Sequence, residues 1–330
     1  MTTKALTPTK RAEALPTVYL EQAQRYAKRS RAANTQRAYR AAWAEFSAWA
    51  AERGAEALPA QADTVLAYLT ALAEAGAKVA TIEVKRAAIG AAHRTAKQPD
   101  PTTAEDVRLL MGGIRRELGT RPSKKAPVTL ADLRALVGAL PTDTLSGLRD
   151  RALILLGWAG AFRRSELVAL DVADVRINGE IKVTIKRSKT DQEGAGQVKV
   201  IPALEDDPDL DPVRAMRAHL DAADIHSGAI FRRVDRWGNL RAERLTGQAV
   251  ALIVKAAALR AGLDPRQFAG HSLRSGFITA AAVAGAESRD IMAQTGHKSE
   301  AVMRGYIQDA GQGAKRATLA AFGQKDKPGE

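Results

Sequence analysis

The sequence predicts a mainly α-helical fold with a small antiparallel β-sheet, divided into an N-terminal helical bundle and a larger, mostly helical C-terminal domain. Apolar residues recur at helical spacing along most of the chain, which sets the class. Two short stretches, Glu180–Lys186 and Gln197–Ile201, alternate instead in strand fashion. Between the two halves runs a basic, proline-containing segment with almost no apolar residue, GTRPSKKAPVT, the composition of a linker.

Residues 1–17 are basic and polar without an apolar h-region, so they read as a flexible tail and not as a secretory signal. Residues 18–118 read as helices. The first covers Asn34 to Arg53, with Asn34 as a candidate cap and Tyr39, Trp43, Phe46 and Trp49 along its core stripe; Arg37 and Arg40 lie opposite. The second covers Gln61 to Ala75 and stops near Gly76. The third runs from Val79 to Lys97, with Ile82 and Ile89 inward, Thr81 and Lys85 assigned to its polar face and Arg86 near its start; the fourth covers Thr103 to Leu118 after the Pro99–Pro101 break. Such helices form a compact bundle.

Residues 119–128 are the basic linker. Residues 129–323 form the second domain, and 324–330 a disordered tail. Thr129 is expected to cap its own helix. The apolar helix from Thr144 to Gly160 is expected to be central core. The alternating stretches make a hairpin through the turn residues DQEGAG. Helices follow over Asp211–Ala222, Thr246–Ala261, Leu273–Ala284 and Ser288–Thr295, with a last amphipathic piece from Ala314 to Phe322.

Composition narrows the function. The chain has 45% hydrophobic and 26% charged residues, the balance of a globular protein. No apolar run is long enough to span a membrane. The lack of cysteine excludes a disulfide framework and thiolate metal sites, which fits a cytoplasmic protein. Fifty Lys+Arg against 37 Asp+Glu give a net charge of +13 and a pI near 10.1, which favours a polyanionic partner. Aromatic content of 5% argues against a binder built on base-stacking platforms, so duplex DNA is the expected partner.

Three patterns carry the chemistry: AGAFRRSELVAL with Arg163 and Glu166, HSLRSG with His271 and Arg274, and TGHKSEAVMRGYI with His297 and Tyr306. Each alone has a plain structural explanation: a solvated arginine at a helix end, a capping histidine, a half-buried tyrosine. In this order and spacing they resemble the tyrosine recombinase (phage integrase) family. Its signature is an arginine in a G-x-R-x-S-E-L context, then H-x-x-R, then G-H with a tyrosine nine residues on. The resemblance covers Val128 to Phe322. Arg164 fills a place more often apolar in that family; placement against Glu166 and Leu167 favours Arg163 as the matching arginine. More loosely, VATIEVKRAAIGAAHR and the proline break after it are similar to the core-binding domain of Cre-type enzymes. The chain is too short for the arm-binding domain of lambda-integrase types.

The resemblance implies a catalytic set of Arg163, Lys189, His271, Arg274, His297 and Tyr306, with Glu166 supporting. The chemistry explains these types. Guanidinium groups neutralise the charge that grows on phosphate oxygens. Histidines donate to the phosphate or accept the tyrosine proton, a role assigned mainly to His271. Lys189, in the hairpin, is placed as the acid that protonates the leaving 5′-oxygen, and Glu166 orients its neighbours. Tyr306 would leave a 3′-phosphotyrosine and a free 5′-hydroxyl. Neither metal nor nucleotide cofactor is required by this scheme. Candidate DNA contacts are Arg37, Arg40, Thr81, Lys85, Arg86, Lys124 and Lys125. The resemblance further implies an inverted-repeat site, a tetramer on paired sites, a Holliday junction intermediate, and a helix at 315–322 exchanged between protomers. His93, His219 and His226 match no motif and read as structural or solvent-facing. A type IB topoisomerase and a non-catalytic DNA-binding protein are the competing readings.

Overall fold

The computed structural model describes residues 33–120, 125–186 and 196–297, with isolated positions 19, 22, 25 and 299. Lys124, Lys189, Tyr306, segment 315–322, the hairpin turn and both tails lie outside the described residues. The chain divides into two compact units, Met1–Ser123 and Lys124–Glu330.

In the first unit α1 (Ala33–Ala51), α2 (Ala62–Glu74), α3 (Val79–Thr95) and α4 (Glu105–Leu118) pack as a bundle. Phe46, Val65, Tyr68, Leu69, Ile82, Ile89, Val107, Met111 and Ile114 fill its core, as their periodicity requires. Trp43 and Trp49 extend an aromatic cluster with Phe46 and Tyr68, at centroid distances of 5.1 to 5.7 Å. His93 is wholly buried: the Ala60 amide donates to its Nε2 at 2.9 Å, so its Nδ1–H donates to the Ile89 carbonyl at 2.9 Å. It is a structural histidine. Asn34 is not the cap of α1, because the helix begins at Ala33; the Asn34 side chain instead accepts from Arg37 at 3.3 Å.

The second unit is built around α6 (Leu145–Ala159), whose residues 152–156 are buried on every side. Around it lie α5 (Leu130–Gly138), α7 (Arg164–Ala169), α8 (Pro212–Ala222), α9 (Gly247–Arg260), α10 (Gly270–Val283) and α11 (Ser288–Thr295). Thr129 caps α5 in a reciprocal box with Asp132, and Thr144, Asp211 and Thr246 cap α6, α8 and α9. A three-stranded antiparallel sheet has the order β1 (Val175–Asn178), β2 (Glu180–Ile185), β3 (Gln197–Pro202). A separate hairpin joins β4 (Arg232–Val234) to β5 (Leu240–Arg244). β2 alternates as expected, with Ile181, Val183 and Ile185 inward. β3 alternates too, but Val198 and Val200 face solvent while Lys199 and Ile201 face the core.

Gly276 seats α10 against the chain entering the second unit. The Val128 amide donates to the Ser272 carbonyl at 2.9 Å, and Trp158 Nε1 donates to the Val128 carbonyl at 3.0 Å. A Cβ at Gly276 would land on that carbonyl and 2.8 Å from Trp158 Nε1. Gly276→Ala should therefore cost about 1–3 kcal/mol of unfolding free energy in urea titration. His219 gives a second test. Burial holds it neutral, its pKa pushed down to about 4, with Nε2 donating to the Ile230 carbonyl at 3.1 Å. Between about 4 and 6.5 the unfolded chain binds the extra proton, so this contribution is present above 6.5 and lost as pH falls toward 4. Across that window unfolding free energy should rise with pH, and His219→Gln should flatten the slope by up to about 1.4 kcal/mol per pH unit.

Candidate active site

Arg163 stands immediately before α7, at a turn where Ala161 takes a left-handed φ of 47°. Glu166, on the first turn of α7, accepts from the Arg163 backbone amide at 2.9 Å and from its Nη1 at 2.6 Å. One carboxylate thus caps the helix and fixes the guanidinium. Arg164 points elsewhere: its aliphatic stem lies against Gly270, and its Nη1 reaches the Gly247 carbonyl at 3.5 Å. The geometry agrees with Arg163 as the arginine of the cluster.

Arg274 and His271 come from α10, which starts at Gly270, three residues earlier than its apolar pattern suggests. That early start puts His271 on the first turn, exposed, and Arg274 one turn further in, only 1% exposed. A guanidinium so buried needs acceptors. Its Nη1 donates to the Ala161 carbonyl at 2.7 Å, and its Nη2 to His297 Nε2 at 3.0 Å. The left-handed turn at Ala161, which costs an L-residue about 1–2 kcal/mol, lies at the carbonyl that receives this arginine.

His297 follows α11 through Gly296, a left-handed C-cap with φ 71°. Since Arg274 can only donate, His297 Nε2 accepts and the ring proton sits on Nδ1. Nδ1–H then donates to Thr295 Oγ1 at 2.9 Å, and the Thr295 hydroxyl donates to the Ile291 carbonyl at 2.7 Å. Burial, with Arg274 and Arg163 beside it, pushes the His297 pKa down to about 4, so the ring is neutral. A histidine donating from Nε2 to phosphate is therefore not the resting form.

The structure adds a residue that sequence reasoning missed. Lys199 on β3 is buried, with Nζ donating to the Gln294 carbonyl and lying 5.2 Å from the Phe162 ring centroid. Burial pushes its pKa down to about 7, opposed by Glu166 and reinforced by Arg274 and Arg163. Arg163, Lys199, His271 and Arg274, from separated stretches of chain, all lie close enough to His297 to act on its charge, and Glu166 pairs with Arg163 among them.

In the first unit Arg37, Arg40 and Thr81 are exposed, as expected. Arg86 is half-buried and paired with Glu83 at 3.0 Å. Lys85 departs from expectation: it is 9% exposed and ion-paired with Glu45 of α1. Although it is four residues from Thr81, its stem follows the buried side of α3 and its charge is consumed inside the bundle. In the second unit Lys125 is exposed and donates to the Arg266 carbonyl at 2.6 Å. Among the described residues, no group of three or more His, Asp or Glu is placed to hold a metal ion, and no helix is long and apolar enough to cross a membrane.

Comparison with known proteins agrees with the motifs. Residues 128–312 match the phage integrase family, and residues 23–99 match the N-terminal SAM-like domain of phage integrases. An integrase/recombinase xerD homolog of Selenomonas ruminantium is 41% identical over 290 residues, covering 87% of this chain and 84% of its own. A tyrosine recombinase XerD of Xanthomonas axonopodis pv. citri is 30% identical over 206 residues, 62% of each chain. Among solved structures, the Tn1549 transposon integrase in complex with transposon right end DNA aligns with a TM-score of 0.61 at 16% identity, covering 92% of this chain and 98% of that one. A lambda integrase dimer bound to a COC′ core site aligns at 0.59 and 16% identity, covering 88% and 76%. At such identity these two likenesses bear on the fold, whereas the family match and the Selenomonas relative bear on descent: the chain belongs to the phage integrase family of tyrosine recombinases.

Proposed function

We propose that the protein is a site-specific recombinase that cuts and rejoins duplex DNA through Tyr306. The observation that carries this reading is that Arg163, paired with Glu166, and Arg274, bonded to His297, both act on His297, so residues of three separate motifs share one electrostatic site. Two guanidiniums held by a carboxylate, a carbonyl and an imidazole form a preorganised receptor for a phosphate, the arrangement phosphoryl transfer requires.

In the proposed reaction the Tyr306 oxygen attacks phosphorus and the bond from phosphorus to the 5′-oxygen breaks. His271 takes the phenolic proton, and Lys189 gives a proton to the leaving oxygen. Arg163 and Arg274 neutralise the pentavalent phosphate. An anionic phosphate offsets the field that keeps His297 neutral, so the ring gains a proton and donates from Nε2. The 3′-phosphotyrosine conserves bond energy, and a 5′-hydroxyl from another strand reverses the step. By the family pattern the chain acts as a tetramer on paired inverted repeats and passes through a Holliday junction. We assign DNA recognition to residues 18–118, with Arg37, Arg40 and Thr81 facing the duplex, and the chemistry to residues 129–323, joined by the basic linker 119–128. The recombinase names of the relatives support the reading of the chain as a recombinase.

Duplex DNA carrying the repeats that flank the gene, nicked so that the 5′ end diffuses away, should yield a detergent-stable protein–DNA adduct. Tyr306→Phe should abolish the adduct while retaining gel-shift affinity. Tight binding without an adduct from the wild type would leave a DNA-binding protein without catalysis. The recombination outcome separates a recombinase from a topoisomerase, which relaxes supercoils without pairing sites. Ending the chain after Gly313 should spare DNA binding but lower synapsis and recombination, seen as a weaker paired-site complex in native gels; normal recombination by that truncation would remove the exchanged helix from the scheme.

A further inference from the structure

A strand written Gln-Val-Lys-Val-Ile should turn its valines inward and its lysine to water. β3 does the opposite. Val198 and Val200 are 60% and 42% exposed, whereas Lys199 is 1% exposed and stands opposite Val183 on the buried face of the sheet. Burying an amine while exposing two valines opposes folding on both counts, so the arrangement needs a compensating contact. It lies at the end of α11.

The last carbonyls of a helix lack intrahelical donors. In α11 two of them are taken by β3: Lys199 Nζ donates to the Gln294 carbonyl, and Gln197 Nε2 to the Ala293 carbonyl at 2.5 Å. The Gln294 side chain answers by donating to the Val200 carbonyl at 3.3 Å and to the Ala159 carbonyl at 3.1 Å. Gly296 follows, and a Cβ there would meet Gln197 Oε1 at 2.6 Å, so strand and helix end are in close contact. The next residue is His297. β3 also pairs with β2, and Lys189 falls between the two strands in sequence.

We propose that Lys199 is a positioning residue for the phosphoryl-transfer step: through the Gln294 carbonyl it locks the end of α11 onto β3, so that His297 is held where it meets Arg274. This rests on the function proposed above. Lys199 need not touch the phosphate, because its neighbour across the bond is a backbone carbonyl.

Lys199→Met keeps the side chain's length and apolar stem and removes the donor. In the full chain it should leave gel-shift affinity for duplex DNA unchanged. Single-turnover adduct formation on the nicked duplex should fall on the order of a hundredfold, the loss that a misplacement of about 1 Å brings. In nitrogen-15 NMR of the imidazoles, His297 should move from the Nδ1–H pattern to that of a ring exchanging between tautomers. Val200→Thr, on the outward face of the same strand, should change neither readout. A wild-type adduct rate in Lys199→Met, or unchanged His297 nitrogen shifts, would overturn the proposal. If Lys199→Met does not fold, Gln197→Ala removes the second bond of the same clamp; it should show the same shift with a smaller loss of rate, and wild-type values there would equally overturn the idea. A wild-type chain that forms no adduct on any duplex defeats the proposed function instead, and the nitrogen shifts alone then decide whether Lys199 holds His297.

Discussion

The second unit is organised by the need to hold cationic groups together without water. Arg274 is almost wholly enclosed, and an enclosed charge costs several kcal/mol unless fixed acceptors replace its hydration. The irregular points of the fold supply them. The left-handed turn at Ala161 brings a carbonyl to Arg274, and the glycine-capped end of α11 brings the His297 ring and the Gln294 carbonyl. Glu166 is set in place as the cap of its own helix, so its charge is immobile before any ligand arrives. Regular elements carry the residues, while the breaks between them carry the acceptors.

Much of this was legible in the sequence because it rests on short-range rules. Helical periodicity placed the bundle and α6, and Thr129 was identified as a cap from its position alone. The β2–β3 hairpin followed from alternation and turn composition. Arg163, His271, Arg274 and His297 were named from motif order, and the fold brings them together. Elements without such signals were missed. α7 is six residues long, and β4 and β5 read Arg-Arg-Val and Leu-Arg-Ala-Glu-Arg, which alternate in nothing. Their existence depends on partners elsewhere in the chain: Arg244 of β5, for example, is held by the carbonyls of Val168 and Leu170.

The two buried lysines show where local rules give way. Periodicity assigns a long cationic side chain to solvent because that is its cheapest place in isolation. Lys85 finds Glu45 on a neighbouring helix, and the pair closes the bundle beside Tyr68. Lys199 finds a carbonyl, and its nearby carboxylate, Glu166, is already engaged by Arg163. Burial, with Arg274 and Arg163 nearby, pushes the Lys199 amine down to about 7. Lys85 has a carboxylate partner, whereas Lys199 is held by a carbonyl and stays sensitive to the charge around it.

That susceptibility links ligand binding to protonation. Burial, reinforced by Arg274 and Arg163, lowers both Lys199 and His297. An anion seated between the arginines acts with the opposite sign on the same two groups, and each then takes up a proton more readily. The arginines themselves stay charged throughout. For the chemistry proposed here the consequence is directional: the donor form of His297 arises from the substrate's own charge, which confines proton donation to the loaded site.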